Sequence, residues 1–451
     1  MTDDERNRFS ARALRYARVG ANVGGVAARM AGSRLLGGSA GGEANAAALA
    51  TALGGLKGPL MKVAQLMATV PDVLPPEYAA ELQKLQSDAP PMGWSFVKRR
   101  MRAELGPDWE QCFSSFERKP AAAASLGQVH RAVTLEGDPV AVKLQYPEMQ
   151  AAVEADLNQL DFLFSLHRRM DGAIDTREIA REIGERVREE LDYRREAKHV
   201  ALYAHILAHE PGVRVPRIHP ELSTGRLLTM AWLEGEKILA FKEHALDERN
   251  LLARAMFTAW WMPFSRFGVI HGDPHLGNYT VFRDEVGAPG GINLLDYGCI
   301  RIFPPAFVAG VVDLYRGLLD GDEARVVHAY ETWGFVGLKR ELIEVLNIWA
   351  RFIYGPLMDD RVRTIADGVE PGQYGRAQAF EVHSALKRLG PVTVPREFVF
   401  MDRAAIGLGA VFLHLRAELN FHALFEAAIE DFEAVAVAQR QHAALQMAGL
   451  A

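Results

Sequence analysis

The stretch His271-Gly-Asp-Pro-His-Leu-Gly-Asn278 contains an aspartate and an asparagine five positions apart, Asp273 and Asn278. Asp296 follows the apolar run 292–295, which predicts a short buried strand. A kinase-type phosphotransfer site needs one aspartate at the incoming nucleophile. It also needs an asparagine and a second aspartate, which hold Mg²⁺ against the ATP phosphates through the oxygen ligands that this hard ion prefers. Either stretch alone would fit a polar surface turn, but their succession predicts such a site.

The composition bounds the class of protein. The chain has 451 residues, of which 49% are hydrophobic and 24% charged, as is typical of globular domains. Its net charge of −6 provides no basic field, so nucleic acid is not an expected partner. Only Cys112 and Cys299 occur, so we expect a reducing compartment rather than a disulfide framework. No apolar run is long enough for a transmembrane helix and no secretory signal is recognised, so a cytoplasmic protein is expected.

The first 43 residues combine arginines with apolar residues and end in a glycine-rich joint. Between Glu5 and Glu43 no acidic residue occurs. This pattern fits a basic amphipathic helix that lies on an anionic membrane surface. It also fits a helix whose arginines simply face water, and the residues alone favour that simpler interpretation slightly.

Residues 44–112 are predicted to form a helical extension. Pro59 is well placed to begin a helix, because a proline at the first helical position gives up an N–H that would have no partner there. Lys62 and Gln65 stand three positions apart and therefore project from one face of that helix.

Residues 113–145 predict a small sheet with a loop of small residues before its second strand. The loop consists of Ala122, Ala123, Ala124, Ser125, Leu126 and Gly127, and the strand that follows contains Val129. The next strand, Val140 to Lys143, ends in a lysine. In a kinase N-lobe such a loop covers the nucleotide phosphates and such a lysine contacts their α and β oxygens. A strand-end lysine that reaches solvent is the alternative, and the order of the elements disfavours it.

The helix predicted from about Arg177 to His209 should supply a glutamate that pairs with Lys143. Glu190 and Glu196 both compete for this role on the residues alone. Strands near 213–217 and 226–232 then lead to the predicted hinge, Leu233 to Gly235, where adenine would hydrogen-bond to the backbone.

The second lobe is predicted to begin with an apolar helix, Leu251 to Phe267, whose Trp260 and Trp261 fit a core better than a ligand platform. His271 and His275 are expected to stabilise the loop that contains them rather than to bind metal. Everything after Phe303 is predicted to be helical, and no substrate-docking segment of the protein-kinase type is recognised there.

Together these motifs resemble the UbiB family of atypical kinase-like proteins, whose best-known members support ubiquinone biosynthesis. Lys62-Val-Ala-Gln65 resembles the family's KxGQ signature, and Glu190-Leu-Asp192 resembles its ExD motif. The remaining matches are Ala122 to Val129 for the alanine-rich loop, Lys143 for the strand lysine, Glu196 for its partner, Asp273 for the catalytic aspartate, and Asn278 and Asp296 for the metal ligands.

The motif order and this resemblance predict an α+β, two-lobed protein-kinase-like fold. Its parts would be an Arg-rich segment and joint at 1–43, a KxGQ-type helical extension at 44–112, an N-lobe at 113–235 and a helix-rich C-lobe at 236–451. The resemblance implies ATP and Mg²⁺ as cofactors.

The resemblance also implies that the extension folds over the active site. Lys62 would approach Glu190 and Asp192 there, in space that a protein substrate needs. ATP hydrolysis in support of ubiquinone or other isoprenoid-lipid metabolism is then the expected activity. The expected partners are an anionic membrane, an isoprenoid or quinone lipid and enzymes of lipid biosynthesis, with peripheral attachment to the cytoplasmic membrane. The oligomeric state is not predicted.

Two positions depart from the family pattern. Ala64 replaces the glycine of KxGQ, and Gly127 stands where the family usually has alanine. With Gly127, the loop is intermediate between the family's alanine-rich loop and the conventional glycine-rich loop of kinases. An altered nucleotide preference is therefore expected. No C-terminal hydrophobic anchor like that of some quinone-pathway members is recognised.

Two other function classes remain open. Small-molecule phosphotransferases of the aminoglycoside and choline kinase type also use His-Gly-Asp-x-His-x-x-Asn, but they lack a KxGQ-like helix and an ExD partner. A catalytically silent nucleotide-binding scaffold is the second alternative. The presence of Lys143, Asp273, Asn278 and Asp296 together argues against it.

Overall fold

The computed structural model describes residues 92–123, 126–146, 187–370, 374–389 and 396–451, together with residues 153, 157, 184 and 185. The predictions for the Arg-rich segment, for Lys62, Ala64 and Gln65, and for Ala124 and Ser125 lie outside the described residues. The division of the chain at residues 43, 112 and 235 stays a prediction.

The described strands fall into three sheets. They are β1 (Phe113–Phe116), β2 (Ala122–Ala123), β3 (Gly127–Thr134), β4 (Pro139–Gln145), β5 (Val213–Arg214), β6 (Leu227–Ala231), β7 (Glu236–Lys237), β8 (Val269–His271), β9 (Tyr279–Arg283), β10 (Pro289–Leu294) and β11 (Ile300–Ile302). The first sheet has the order β1-β3-β4-β6 with β2 added on β3, and all its pairs are antiparallel. The small sheet predicted for residues 113–145 is therefore confirmed.

The described helices dominate the second half of the chain. They are α1 (Trp94–Leu105), α2 (Tyr193–Ile206), α3 (Leu246–Phe267), α4 (Pro305–Asp320), α5 (Glu323–Thr332), α6 (Arg340–Tyr354), α7 (Arg376–Leu389), α8 (Arg396–Leu415), α9 (Phe421–Ala428) and α10 (Ala434–Met447). Short 3₁₀ turns occur at Trp109–Cys112, Pro220–Leu222, Ile238–Phe241 and Gly355–Leu357. The helical character predicted after Phe303 is confirmed.

Two of the hydrophobic clusters formed by the described residues contain the first sheet and helix α3. Helix α1 buries Val97 and Met101 against Val140 and Val142 of the first sheet. The larger core surrounds α3, in which Trp260 is completely buried, as the sequence predicted. Within the described part of the chain, no helix is long and apolar enough to cross a membrane.

The β9–β10 hairpin is the element that positions the second half of the site. Tyr279 of β9 pairs with Leu294 of β10, and the Leu295 N–H donates to the Asn278 carbonyl oxygen at 2.9 Å. This register places Asn278, just before β9, beside the residues that follow β10. The sheet that contains the hairpin has the order β5-β10-β9-β7, so strand β5 pairs with β10 and not with the first sheet.

The single helix predicted from Arg177 to His209 is wrong. Residues 187–189 are helical, 190 and 191 form a turn, and α2 begins afresh at Tyr193. The Asp192 carboxylate caps α2 by accepting the Arg194 and Arg195 N–H groups at 3.0 and 3.3 Å. An aspartate at this position stabilises a helix start, because the first N–H groups of a helix have no partners within it.

Gly291 gives the hairpin a position where only glycine fits. Its φ is +147°, and a Cβ there would lie 2.1 Å from the Gly212 carbonyl oxygen. We expect Gly291→Ala to lower the free energy of unfolding by about 3 kcal/mol, since a backbone contact must open. Gly287→Ala in the same hairpin is the matched control, with φ +84° but open space around the Cβ, and should cost only about 1 kcal/mol. Equal losses in urea unfolding would contradict the steric explanation.

Candidate functional site

The centre of the site is the Lys143 ammonium group near the end of β4. Its Nζ lies 2.6 Å from Glu196 Oε1 of α2 and 3.0 Å from Asp296 Oδ1 after β10. The three side chains are 13%, 3% and 33% exposed, respectively. Residues separated by more than 150 positions along the chain thus converge on one buried cation.

Burial and charge oppose each other at this cluster. Burial by itself would lower the pKa of Lys143, but the Asp296 and Glu196 carboxylates outweigh it and raise the pKa well above the usual lysine value. Burial raises the pKa of Glu196 to about 7, because the nearby ammonium only partly offsets burial and the Asp296 charge adds to it. Lys143 is therefore firmly protonated, and two carboxylates share its one charge.

The start of helix α2 aims Glu196 at Lys143. Asp192 fixes the first turn, and Glu196 follows it within that turn. Between the two glutamates that the sequence left open, the structure places Glu196 against the lysine. Glu190 also borders the site: a Cβ at Gly298 would lie 3.5 Å from the Glu190 Cγ and 3.6 Å from the Asp296 Oδ1.

The described ends of the small-residue loop are connected to the lysine through strand pairing. Ala122 pairs with Val129, and Val129 pairs with Lys143 across β3 and β4. Ala122 and Ala123 are exposed, whereas Leu126 and Gly127 are buried.

Close packing explains why residue 127 is a glycine, which the motif comparison did not reveal. A Cβ there would lie 2.3 Å from the Leu144 carbonyl oxygen and 2.9 Å from the Tyr193 hydroxyl. Tyr193 also places its ring 5.2 Å from the Lys143 Nζ. No sequence signal pointed to Tyr193, since an aromatic residue in the first turn of a helix is ordinary.

The catalytic-type loop begins where helix α3 ends. Gly268 adopts φ +64° after the helix, and β8 then delivers His271 directly into the loop. His271 Nδ1 accepts the Asp273 N–H at 3.1 Å, so its Nε2 carries the proton and donates to the Asp296 carbonyl oxygen at 2.7 Å. His275 Nδ1 accepts the Gly277 N–H at 3.1 Å. Both histidines thus stabilise the loop, as predicted.

The donor set at Asn278 and Asp296 fits Mg²⁺. The Asn278 Nδ2 donates to the Asp273 carbonyl oxygen at 3.0 Å, which fixes the amide so that its oxygen is the group left for a ligand. Asp296 adds a carboxylate that already holds one cation, Lys143. The described residues contain no group of three or more His, Cys, Asp or Glu side chains that could hold a metal. Two protein oxygens suit Mg²⁺, which takes its other ligands from phosphates and water.

The hinge segment 233–235 is held from both sheets. Asn293 of β10 is fully buried and donates from Nδ2 to the Glu234 carbonyl oxygen at 2.9 Å and to the Thr280 hydroxyl at 3.0 Å. On the other side, Arg131 of β3 pairs with the Glu234 carboxylate at 2.6 Å. A Cβ at Gly235 would lie 2.3 Å from the Thr280 hydroxyl oxygen, so glycine allows this close approach. Its role as the adenine contact stays a prediction.

Comparison with protein families identifies the domain that carries this geometry. The profile of the ABC1 atypical kinase-like domain matches residues 84–330, more than half of the chain. The chain belongs to this family. The resemblance to UbiB proteins is thereby confirmed, and membership implies a kinase-like domain with a nucleotide site.

Three relatives illustrate the range of the ABC1 family. AarF domain-containing protein kinase 1 of Xenopus laevis is 31% identical over 273 residues, 60% of this chain and 52% of that protein. Atypical kinase COQ8, mitochondrial, of Saccharomyces cerevisiae is 29% identical over 265 residues, 58% and 51% of the two chains. A solved complex of Rv3197 with erythromycin from Mycobacterium tuberculosis matches with a TM-score of 0.57 and 26% identity, over 85% of this chain and 95% of that one. The chain spans about half the length of the curated relatives it matches first.

His199 of α2 holds the backbone beside Asp296 in place. It is 2% exposed and donates from Nδ1 to the Tyr297 carbonyl oxygen at 3.1 Å, next to Asp296. Burial lowers its pKa to about 3, against an ordinary value of 6.5, and the bond to Tyr297 offsets this only in part. Sequence reasoning missed this residue, because a lone histidine in a helix carries no motif.

The lowered pKa of His199 predicts how stability depends on pH. Below pH 6.5 the imidazole of His199 binds a proton in the unfolded chain but not in the folded chain. The stabilisation that the neutral imidazole provides is therefore complete above pH 6.5. The free energy of unfolding then falls by about 1.4 kcal/mol per pH unit as the pH falls from 6.5 toward 3. His199→Asn keeps a donor for Tyr297 and should flatten the unfolding free energy between pH 4 and 6. Identical slopes in denaturant titrations of both proteins would refute this assignment.

Proposed function

We propose that this protein is a UbiB-like atypical kinase or ATPase that binds Mg-ATP and hydrolyses it in support of ubiquinone or other isoprenoid-lipid metabolism at a membrane surface. The observation that carries the proposal is the Lys143 ammonium held between Glu196 and Asp296. A lysine fixed between a helix glutamate and a metal-binding aspartate is what phosphoryl transfer requires, because the nucleotide phosphates need a positioned cation.

The chain's own residues would act as follows. Lys143 contacts the α and β phosphates while Glu196 keeps it oriented, and the backbone of residues 122–127 covers the nucleotide. Asp273 orients the attacking oxygen and accepts its proton. Asn278 and Asp296 would hold Mg²⁺, which supplies charge neutralisation at the transferred phosphoryl group.

The proposal of hydrolysis rests on the helical extension. If Lys62 and Gln65 lie over the acceptor side near Glu190 and Asp192, water can enter where a protein substrate cannot. Lys62→Ala or Gln65→Ala would then open the site to larger acceptors. The lipid context comes from the family resemblance and from relatives such as COQ8.

Transfer to a small molecule is the second candidate. The similar mycobacterial structure is a complex with erythromycin, which shows that a protein of this fold is found with a small organic molecule. The His-Gly-Asp-x-His-x-x-Asn stretch is compatible with such an acceptor.

A single-turnover assay with γ-labelled ATP separates these functions. The purified chain is mixed with Mg²⁺ and anionic liposomes, and Asp296→Asn provides the blank. Label released as phosphate, and lost in the variant, supports the ATPase. Label in the lipid or small-molecule extract supports transfer instead. Nucleotide binding without any turnover would overturn both enzymatic proposals and leave the scaffold.

A further inference from the structure

A cleft in the helical half of the molecule lies outside the site described above. Its volume is about 400 Å³, within the range of ligand pockets. The rings of Phe352 and Tyr374 form one wall, with centroids 4.9 Å apart, and the buried Ile365 adds an aliphatic surface. An apolar or aromatic body therefore fits its floor.

The charged groups that line the cleft do not balance. The Arg363 guanidinium is committed, because its Nη1 donates to Asp359 at 2.6 Å and its Nε donates to the Thr364 carbonyl oxygen at 3.0 Å. Asp367 accepts a hydrogen bond from the Thr364 hydroxyl, and no cation of the described chain lies within 4 Å of its carboxylate. Arg361 lies outside the lining of the cleft. It pairs with Asp359 and its charge also acts on Asp367, but 60% of its side chain is exposed, so water screens that charge. A carboxylate beside aromatic faces favours a cation.

Helix α8 connects this cleft to the catalytic-type loop. A Cβ at Gly409 would lie 2.4 Å from the Tyr374 ring, and a Cβ at Gly407 would lie 2.4 Å from the ring of Pro274. Residues two apart on a helix point about 200° apart, so Tyr374 and Pro274 press on nearly opposite sides of α8. Only helix backbone separates the wall of the cleft from the residue that follows Asp273.

We propose that this cleft binds a small amphipathic amine, with its apolar body on Phe352 and Tyr374 and its ammonium at Asp367, and that α8 transmits occupancy to the loop 271–278. Binding does not depend on the function proposed above. An effect of the ligand on ATP turnover would rest on that function, so binding and loop protection are measured without nucleotide.

The test compares 4-phenylbutylammonium with 4-phenylbutyrate, which differ in head-group charge on the same skeleton. Both are titrated calorimetrically into the full chain. The cation should bind about fivefold more tightly, as one partly exposed charge contact allows. Asp367→Asn should remove that preference. Asp320→Asn, at the exposed end of α4, should keep it and serves as the matched control.

A second variant checks the location. Ala366 lines the cleft, and Ala366→Phe should fill it and abolish binding of both compounds, with an unchanged melting temperature showing that the fold is intact. Hydrogen exchange should slow in residues 271–278 when the amine binds the wild type, but not in Ala366→Phe. Equal binding of cation and anion, or binding retained in the filled variant, would overturn the site. Binding without any change at 271–278 would overturn the connection through α8.

Discussion

Replacing Asp296 by asparagine is expected to lower single-turnover ATP hydrolysis by about a thousandfold. The amide keeps one oxygen that can accept the Gly298 N–H, now bonded to Oδ1 at 3.3 Å, but it loses the charge that Mg²⁺ and Lys143 both require. Lys143 keeps Glu196 as its partner at 2.6 Å, so the fold should persist. Rapid-quench measurement of phosphate release, with nucleotide saturating, isolates the chemical step.

The control for this prediction is a charge change away from the site. Asp320→Asn removes one carboxylate from an exposed position and should leave the rate within about twofold of the wild type. Thermal unfolding of both variants shows whether the protein remains folded. If Asp296→Asn retains more than a tenth of the wild-type rate, Asp296 is not a ligand of the catalytic metal.

Lys143→Met is expected to make stability fall steeply at alkaline pH. The variant leaves Glu196 at 3% exposure without its cation, and a buried, unpaired charge costs about 3–5 kcal/mol. The carboxyl group avoids this cost by keeping its proton, so its pKa, already about 7 in the wild type, rises further. A raised carboxyl pKa means that stability falls with pH from the unfolded value of 4.5 up to the folded pKa.

The pH dependence of stability distinguishes the wild type from Lys143→Met above neutral pH. Between pH 4.5 and 7 the raised pKa of Glu196 lowers the stability of both proteins as the pH rises. Above pH 7 only the variant continues to lose stability. The difference in unfolding free energy should therefore grow by about 1.4 kcal/mol per pH unit between pH 7 and 9. Denaturant titrations at each pH provide the measurement.

A double variant identifies the group responsible. In Lys143→Met/Glu196→Gln no carboxyl group remains to titrate at position 196, so its stability should follow the wild-type slope above pH 7. The single variant Glu196→Gln is the reference for the amide itself. Parallel curves for the wild type and Lys143→Met would exclude Glu196 as the buried partner of the lysine.

The predictions that rest on local chemistry agree with the structure most closely. The strand before Asp296, the apolar helix before His271 and the small sheet around Lys143 all follow from periodicities within about ten residues. The roles of His271 and His275 within their loop are local in the same way. The family could also be recognised from the order of short motifs, because each motif keeps its chemistry within a few residues.

The predictions that failed or stayed open depend on distant partners. Apolar periodicity continues through residues 187–206, so nothing local marked the turn at 190–191 or the cap at Asp192. Gly127 could be compared with a motif but not with the Leu144 carbonyl oxygen that it touches. The two-residue strand β5 is too short to reveal that its partner is β10.

The sequence by itself thus predicted which residues would serve phosphoryl transfer: Lys143, Asp273, Asn278 and Asp296, each marked by its neighbours. Only the tertiary structure decided that Glu196 rather than Glu190 meets the lysine, and that one ammonium is shared with Asp296. Those contacts join residues 53 and 153 positions apart. Burial and charge select such pairs only after the sheet, the helix and the hairpin have packed together, since side-chain periodicity does not encode distances between elements.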